Sequence, residues 1–287
     1  MTLKEIQKAS DNTIKLIFEE GFHCVLIPHS SNKTTLCISS QIGCAMGCKF
    51  CLTAKMGFIK NLTKEQIIEQ FEESIKYLAD KPICTIDDKQ KNYSHEFITS
   101  IVFMGMGEPF NNYNNVVESI KFLNQKYWYP FKKITVSTSG IIPKIIDFSS
   151  LDFKSQLAIS FHSPFQDVRN RLMPYLSPYK IPELVKACND YSKSRKDKMM
   201  IEYIMIDGLT DREEDLKELL KLGFEKMTNF NLIPLNGSMD FEGEKYLASS
   251  SEKCEYFKQK LIENGFKCFI RFNMGEDIEA ACGMLNY

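Results

Sequence analysis

Three cysteines within eight residues form the pattern in this sequence with the most direct chemical meaning. Cys44, Cys48 and Cys51 are separated by three and then two residues, and Gly43 and Gly47 let the intervening backbone curl. A structural zinc site needs four ligands, and no fourth cysteine or histidine stands at zinc spacing. Three thiolates suit a four-iron, four-sulfur cluster that leaves one iron open. Alternatively, the three side chains are small core residues, because cysteines are often buried.

Polar side chains follow several strand-like segments, where the active sites of α/β barrels gather. Glu108 comes after a glycine-rich turn, and its carboxylate can accept hydrogen bonds from an ammonium group. Ser137 ends a strand-like run, whereas Ser160 and His162 alternate along another and can face the same side. Each also has a purely structural interpretation, as does Asn236, which suits a turn.

The elements that must position these residues alternate between strands and helices. A helix is predicted to begin after Thr63, with Gln66 completing a capping box. Such alternation is typical of a parallel sheet with crossover helices, an α/β fold. The predicted strands are Cys24–Pro28, Leu36–Ser39, Ser100–Met104, Ile134–Ser137, Leu157–Phe161, Met200–Ile206, Phe230–Leu235 and Phe266–Phe272, and the further helices are 114–125, 181–193, 211–222 and 249–264. The polar stretch 80–96 is predicted to be a surface loop or insertion.

Composition excludes several classes of protein. The 287 residues are 44% hydrophobic and 25% charged, values of an ordinary globular chain. No apolar run approaches the ~20 residues that span a bilayer, and the N-terminus is no export signal. The ten cysteines therefore predict a reducing cytoplasm and metal or catalytic chemistry.

The net charge of −1 leaves nucleic-acid binding to local patches rather than to an overall basic field. Each candidate patch also has an interpretation as an ordinary solvated surface. The candidates are Lys132, Lys133, Arg169, Arg171, Lys193, Arg195, Lys196 and Lys198.

The cysteine spacing, with Phe50 before the last cysteine, resembles the radical S-adenosylmethionine (SAM) superfamily. Six further motifs occur in an order similar to that of the RlmN/Cfr family of adenosine methyltransferases. These motifs are Thr35–Cys44, Phe103–Pro109, Val136–Gly140, Ala158–Ser163, Asn231–Pro234 and Asp277–Gly283. The resemblance implies a partial (β/α)6 radical SAM barrel.

The resemblance also implies two cofactors and the residues that bind them. Cys44, Cys48 and Cys51 would hold a [4Fe-4S] cluster whose open iron chelates the amino and carboxylate groups of SAM. The residues implied to contact SAM are Gly107, Glu108, Ser137, Ser160, Phe161, His162 and Asn236.

Two further cysteines would carry the reaction in the resembling family. Cys282 accepts a methyl group from one SAM, and a radical made from a second SAM activates that methyl for addition to adenine. Cys37 then attacks the Cys282 sulfur, and a disulfide forms as the methylated base leaves. Read without the resemblance, both are buried small residues. The implied target is carbon 2 of adenosine in preference to carbon 8, in 23S rRNA and in tRNA.

The sequence departs from the family at its N-terminal end. Cys24 stands where the family has a proton-accepting glutamate, and neighbouring His23 would point to the opposite face of the strand. Residues 1–36 are predicted to be a leader and 37–287 the barrel with the C-terminal catalytic segment. Family members have a longer N-terminal RNA-binding domain, so an enzyme of this fold acting on another RNA or a small molecule is the alternative. We expect a monomer that uses an electron donor such as flavodoxin or ferredoxin and has no membrane partner.

Overall fold

A computed structural model describes residues 2–29, 33–79, 97–271 and 273–286. The predicted loop at 80–96 lies outside the described residues. The chain divides into two compact units. The first contains residues 1–45, 52–137 and 274–287, and the second contains residues 46–51 and 138–273.

The first unit is built on strands in the order β1-β2-β3-β4-β7-β8. Strands β1 to β4 pair antiparallel, whereas β4, β7 and β8 run parallel. A separate two-stranded hairpin joins β5 and β6. The strands are β1 (Leu3–Lys8), β2 (Ile14–Phe18), β3 (His23–His29), β4 (Lys33–Cys37), β5 (Gln41–Gly43), β6 (Phe58–Asn61), β7 (Ile98–Phe103) and β8 (Ile134–Thr138).

Three α-helices in the described ranges belong to the first unit. The helices are α1 (Leu52–Lys55), α2 (Lys64–Ala79) and α3 (Tyr113–Tyr127). The capping box before α2 is present, since the Gln66 side chain accepts from the Thr63 amide at 2.9 Å. Helix α2 buries Ile67, Phe71 and Ile75, which lie on one face at helical spacing.

The second unit repeats a strand–helix alternation. Its sheet order is β9-β10-β11-β14, with parallel neighbours throughout. The strands are β9 (Gln156–Ser160), β10 (Met199–Met205), β11 (Thr228–Pro234), the hairpin strands β12 (Ser238–Phe241) and β13 (Glu244–Leu247), and β14 (Lys267–Ile270). The helices are α4 (Ile142–Ser149), α5 (Gln166–Leu172), α6 (Ile181–Arg195), α7 (Glu213–Lys221) and α8 (Ser251–Glu263).

All eight predicted strands are present, and the α/β class with parallel strands is confirmed. Residues 3–29, within the predicted N-terminal leader, form β1, β2 and the predicted strand β3, which extend the sheet. Charged side chains in β1 and β2 obscure the alternation of polar and apolar residues that is typical of a strand. Such residues form a strand only where one face of the sheet is covered. No helix in the described ranges is both long and apolar enough to cross a membrane.

Candidate active site

The three-cysteine loop is shaped by two glycines with positive φ. Gly43 has φ +69°, and a β-carbon there would lie 1.9 Å from the carbonyl oxygen of Gly57. In the second unit, Gly47 has φ +65°, and a β-carbon would lie 2.8 Å from the Tyr175 ring. Both positions have a backbone conformation that favours glycine, and a β-carbon would meet backbone at Gly43 but an exposed side chain at Gly47.

Contacts within each unit hold the loop. In the first unit the amide of Cys44 donates to Gly57 at 2.9 Å. In the second, the amide of Lys49 donates to the carbonyl of Leu172 at 2.9 Å, and Phe50 packs edge-on against His162 at 4.8 Å between ring centroids. Cys44 is buried, whereas Cys48 and Cys51 are half-buried.

The turn after β7 orients Glu108. Its amide donates to the Gln41 side chain at 2.8 Å, and its carboxylate accepts from the amide of Phe110 at 2.9 Å. The carboxylate is buried, so its direction is fixed by the short helical turn that it caps. Gly107 lies immediately before it in this turn.

The Ser160–His162 segment follows the end of β9, which stops at Ser160. His162 adopts a left-handed conformation with φ 64°, so the expected strand alternation of Ser160 and His162 is broken. The His162 Nδ1 accepts from the amide of Ile204 at 3.1 Å, and burial lowers its pKa to about 3. His162 is therefore a neutral ring with its proton on Nε2. Phe161 is fully buried and its ring packs on Phe224 at 5.4 Å, which leaves only its backbone to contact a ligand.

Two further predicted residues follow strands. Ser137 is half-buried near the end of β8, and Asn236 is half-buried in the turn after β11. Both positions are at carboxyl ends of parallel strands, as predicted.

Cys37 and Cys24 lie on opposite faces of neighbouring strands. Cys37 pairs with Val25 and Cys24 with Leu16, and directly paired residues share a face. The Cys24 thiol lies 3.6 Å from the Ser74 hydroxyl of α2, and burial raises its pKa to about 12. Cys24 is therefore a neutral thiol under the helix layer and cannot replace a carboxylate base.

His23 lies on the other face, the one that carries Cys37. Its Nδ1 is buried and has no hydrogen-bond partner among the described residues. Burial and the nearby charges of Lys15 and Lys4 lower the pKa of His23 to about 4. It lines a cavity of about 510 Å³ whose walls also include Asp277, Ile278, Glu279 and Asn286 of the C-terminal segment.

Hydrogen bonds fix the C-terminal segment to the first unit. The Lys15 ammonium donates to the carbonyl of Ile278 at 2.7 Å, and the Thr53 hydroxyl donates to the carbonyl of Leu285. The amide of Leu52 donates to Gly283 at 2.7 Å. Cys282 lies between these anchors and is exposed. The same unit therefore carries Cys37 and presents Cys282 to solvent.

Comparisons with known proteins agree with this arrangement of motifs. A family model described as the radical SAM superfamily matches residues 38–222. A "Dual-specificity RNA methyltransferase RlmN" from Psychrobacter arcticus is 37% identical over 97% of this chain and 71% of its own length. A "Probable dual-specificity RNA methyltransferase RlmN" from Clostridium novyi is 34% identical over 96% of this chain and 76% of its own.

The chain belongs to the radical SAM superfamily and to its RlmN family. A crystal structure of a radical SAM methyltransferase from Sphaerobacter thermophilus is similar, with a TM-score of 0.86, 33% identity and coverage of 99% of this chain and 80% of that one. The SAM-bound structure of Streptococcus suis SuiB, at 11% identity and a TM-score of 0.53, shares the fold alone. The predicted radical SAM fold is thus confirmed.

As a radical SAM protein, the chain is expected to hold an iron–sulfur centre and SAM. No group of three or more His, Cys, Asp or Glu side chains in the described ranges is arranged to hold a metal ion. The loop nevertheless fits a cluster by donor type, because it offers three thiols at superfamily spacing on a backbone curled by two glycines.

Two buried arginines correct the predicted surface patches. Arg169 is 0% exposed, and Arg195 is 7% exposed with its guanidinium donating to the carbonyls of Leu151 and Phe148. Neither can contact RNA, since each guanidinium is used to satisfy backbone carbonyls inside the second unit. The sequence could have indicated that Arg169 is buried, because it lies at helical spacing between Phe165 and Leu172, on the apolar face of a short helix.

Glu202 is a buried charged residue, bonded to the Phe161–His162 segment, that the sequence analysis did not single out. Its backbone carbonyl accepts from the amides of Phe161 and His162. Its buried carboxylate accepts from the Asn231 side chain at 2.9 Å and lies 3.9 Å from Arg271. Burial raises the pKa of this carboxyl. A charged residue inside an otherwise apolar strand was the signal that could have indicated it.

Proposed function

We propose that this protein is a radical SAM methyltransferase that methylates an adenosine in RNA through an S-methylcysteine on Cys282. The observation that carries the proposal is the first unit itself, in which Cys282 is exposed on a segment hydrogen-bonded to β2 of the sheet that also contains Cys37. The RNA methyltransferase names of the two RlmN relatives support the substrate class.

A methyl carrier on the protein follows from the chemistry of the target. The carbon between two ring nitrogens of adenine is not nucleophilic, so direct transfer of a methyl cation to it is unfavourable. When bound, the cluster and SAM supply a methyl group and a radical that abstracts hydrogen. The exposed Cys282 sulfur holds that methyl group where an RNA base can reach it.

Cys37 resolves the covalent link. After the methyl carbon has joined the base, the adduct radical would lose a proton from the base carbon and return one electron to the iron–sulfur centre. The Cys37 thiolate then attacks the Cys282 sulfur. The sulfur–carbon bond breaks, the carbon takes a proton, and a disulfide remains. Each turnover then needs two electrons to reopen the disulfide, which suits the reducing cytoplasm.

The cofactor sites follow the strand ends. Cys44, Cys48 and Cys51 would hold a four-iron cluster with one open iron. The buried Glu108 carboxylate, next to Gly107, would accept from the SAM ammonium, and the hydrogen bond that it accepts from the Phe110 amide supports a fixed direction for it. The remaining SAM contacts are proposed at Ser137, Ser160, the Phe161 backbone, His162 Nε2 and Asn236.

We favour carbon 2 over carbon 8 as the target, in 23S rRNA and in tRNA. The motif Ser137–Gly140 is closer to RlmN members, and the curated relatives carry that name. We also infer a monomer and a low-potential electron donor such as flavodoxin or ferredoxin.

An anaerobic assay tests the proposal. The chain is reconstituted with iron and sulfide, then given SAM, a reductant and protein-free ribosomal or transfer RNA, and nucleosides are analysed by mass spectrometry. We expect 2-methyladenosine, and none from Cys282→Ala or Cys37→Ala. Formation of 8-methyladenosine would overturn the carbon-2 assignment. Release of 5′-deoxyadenosine without any methylated base would overturn RNA as substrate and favour a small molecule.

A further inference from the structure

Residues 52–64 of the first unit form a segment with an excess of positive charge. The segment runs from α1 through β6 to the first residue of α2, and it contains three lysines and no aspartate or glutamate. The whole chain carries a net charge of −1, so this excess is a local feature. Residues 52–64 are called the basic strip below.

Strand β6, at the centre of the basic strip, is open to solvent. All four of its residues are exposed, whereas all three residues of its partner β5 are buried. Among the described residues β6 pairs with β5 alone, so its outer edge carries no further strand. Phe58 and Ile59 are each 50% exposed, although side chains of this kind are usually buried. Two adjacent exposed apolar side chains are typical of an interaction surface.

Two lysines flank this apolar pair. Lys55 and Lys60 are both exposed. No ion pair in the described ranges engages either of them, whereas Lys76 and Lys126 of the same unit pair with carboxylates. The two charges of the basic strip are therefore available to a negatively charged partner.

Hydrogen bonds join the basic strip to the segment that carries Cys282. The amide of Leu52 donates to the carbonyl of Gly283 at 2.7 Å, and the Thr53 hydroxyl donates to the carbonyl of Leu285. Both acceptors follow closely after Cys282, which is exposed. The basic strip therefore begins beside the sulfur that is proposed to carry the methyl group.

A tight turn keeps β6 near these contacts. The amide of Gly57 donates back to the carbonyl of Ala54 at 3.2 Å, and Phe58 follows directly. The five residues from Thr53 to Phe58 span at most about 18 Å even when fully extended. A partner that contacts Phe58 can therefore also reach the surroundings of Cys282.

RNA is the partner whose chemistry fits the basic strip. Single-stranded RNA offers phosphates to cations and unstacked bases to aromatic rings, so a phenylalanine between lysines suits it. An acidic protein would also match the charge, but only the substrate must reach the Cys282 sulfur. The acidic residues 276, 277 and 279 precede Cys282, whereas the basic strip binds residues that follow it.

We propose that the basic strip is the RNA-docking surface of this protein. Phe58 stacks on an unpaired base near the target, and Lys55 and Lys60 bind phosphates on either side of that base. The inference rests on the proposed RNA methylation and names the surface that brings the substrate to Cys282. None of the basic patches predicted from the sequence includes these residues.

The test separates the charge of the basic strip from its aromatic ring. The double variant Lys55→Gln/Lys60→Gln removes two charges, Phe58→Leu keeps an apolar side chain without a ring, and Phe58→Tyr keeps the ring. The control Lys8→Gln/Lys267→Gln removes the same charge from exposed positions on β1 and β14. Circular dichroism and iron content establish that each reconstituted variant is folded and loaded.

The probe is fluorescently labelled, protein-free transfer RNA, whose binding is followed by anisotropy between about 50 and 200 mM salt. For the lysine double variant we expect roughly tenfold weaker binding at low salt. Its slope of log affinity against log salt should be shallower by about 1.4, at ~0.7 for each phosphate contact on a single strand. The control should keep the wild-type slope.

The ring should act independently of salt. Phe58→Leu is expected to bind RNA about tenfold more weakly at every salt concentration, whereas Phe58→Tyr should match wild type. In single-turnover methylation, the RNA concentration for half-saturation should rise by the same factor in Phe58→Leu. The rate at saturating RNA should stay within about twofold of wild type, because docking is lost and chemistry is not.

Four outcomes would contradict the inference. Wild-type RNA affinity in the lysine and Phe58→Leu variants would overturn it alone. Equal losses in the lysine and control variants would show that net charge, not this surface, binds RNA. Normal RNA binding with slower cluster reduction by flavodoxin would show that the basic strip docks an acidic protein instead. A folded, iron-loaded wild-type chain that binds no RNA would overturn the proposed function as well, which distinguishes it from the other three.

Discussion

The two units hold their candidate site residues in different ways. In the second unit the candidate residues lie in a buried hydrogen-bond network. The Glu202 carbonyl accepts from the amides of Phe161 and His162, and Arg169 donates to the Phe161 carbonyl. In the first unit the cysteines proposed for catalysis lie on a sheet face and on an exposed segment beside an open cavity. His23 there keeps a buried ring nitrogen without a partner among the described residues.

The difference agrees with the proposed roles, in which buried side chains such as Glu108 and His162 contact SAM and the exposed segment that carries Cys282 meets a large substrate. A preorganised, buried network suits a small molecule that must be aligned to fractions of an ångström. An open face suits a substrate that must enter and leave. Four predictions test this comparison, from the largest expected effect to the smallest.

The first unit should contain one essential and one dispensable cysteine on neighbouring strands. Cys37→Ala removes the group that resolves the covalent link, so we expect methylation to fall by on the order of 10⁴-fold or more, as for loss of an essential nucleophile. Cys24→Ala faces α2 and should change the methylation rate less than about threefold while costing about 1 kcal/mol of stability. Single-turnover methylation of an RNA fragment and urea unfolding measure both. Similar rates for the two variants would argue that Cys37 is only structural.

Glycine-to-alanine substitutions should show in which unit the backbone of the cysteine loop is packed more closely. Gly43→Ala meets the backbone carbonyl of Gly57 at 1.9 Å, so we expect loss of cluster loading that no side-chain change restores. Gly47→Ala meets the Tyr175 ring at 2.8 Å, a side chain that is itself exposed. Iron content after reconstitution is the measurement, and Tyr175→Ala should partly restore loading of Gly47→Ala. Rescue of Gly43→Ala by any neighbouring truncation would contradict the backbone clash.

Among the described residues, substitutions of the two buried histidines should differ in their cost to stability at neutral pH. Both should have the same effect on the loss of stability in acid. Both pKa values lie below the ordinary 6.5, at about 3 for His162 and about 4 for His23. The unfolded chain therefore binds protons that the folded chain excludes. Each histidine lowers the free energy of unfolding as pH falls below 6.5, by about 2 kcal/mol at pH 5, at about 1.4 kcal/mol per pH unit.

Variants separate the two histidines. His162→Ala removes the acceptor of the Ile204 amide and should cost about 1–3 kcal/mol at pH 8, whereas His23→Gln should cost less because its Nδ1 accepts no bond. Both variants should flatten the loss of stability between pH 6.5 and 5 in urea titrations. An unchanged acid slope in either variant would contradict the neutral state of that ring.

The smallest effect is expected at an exposed ion pair of the second unit. Arg171 and Glu242 form a salt bridge with both side chains more than 40% exposed. Screening limits such a pair, so Arg171→Met should change the free energy of unfolding by less than about 0.5 kcal/mol. A larger loss in urea unfolding would show that the buried network extends to this surface.

Sequence patterns predicted the strands and helices that a short stretch of residues is enough to specify. The strands around Cys37 and Ser160 and the capped helix after Thr63 were predictable because short apolar runs and a capping box need no distant partner. The N-terminal strands β1 and β2 were missed because their charged residues line an open cavity whose walls also include Asp277, Ile278 and Glu279, which are distant in sequence.

The buried charges were the other failure. Arg169 was predicted on the surface because charged side chains are usually solvated. In the structure its guanidinium instead donates hydrogen bonds to three backbone carbonyls. His162 was expected in a strand, and a left-handed turn at that residue depends on the carbonyl of Glu202, which is distant in sequence. Such long-range satisfaction of polar groups leaves little trace in a local pattern.

The most direct test of the central claim follows the hydrogens of the transferred methyl group. The reconstituted enzyme is given RNA and SAM whose methyl carries three deuterium atoms, and the product adenosine is weighed by mass spectrometry. A methyl carried by Cys282 loses one deuterium to 5′-deoxyadenosine and regains hydrogen from solvent, so the account predicts a product with two deuterium atoms. A product that retains all three would show direct transfer from SAM and contradict a carrier on Cys282.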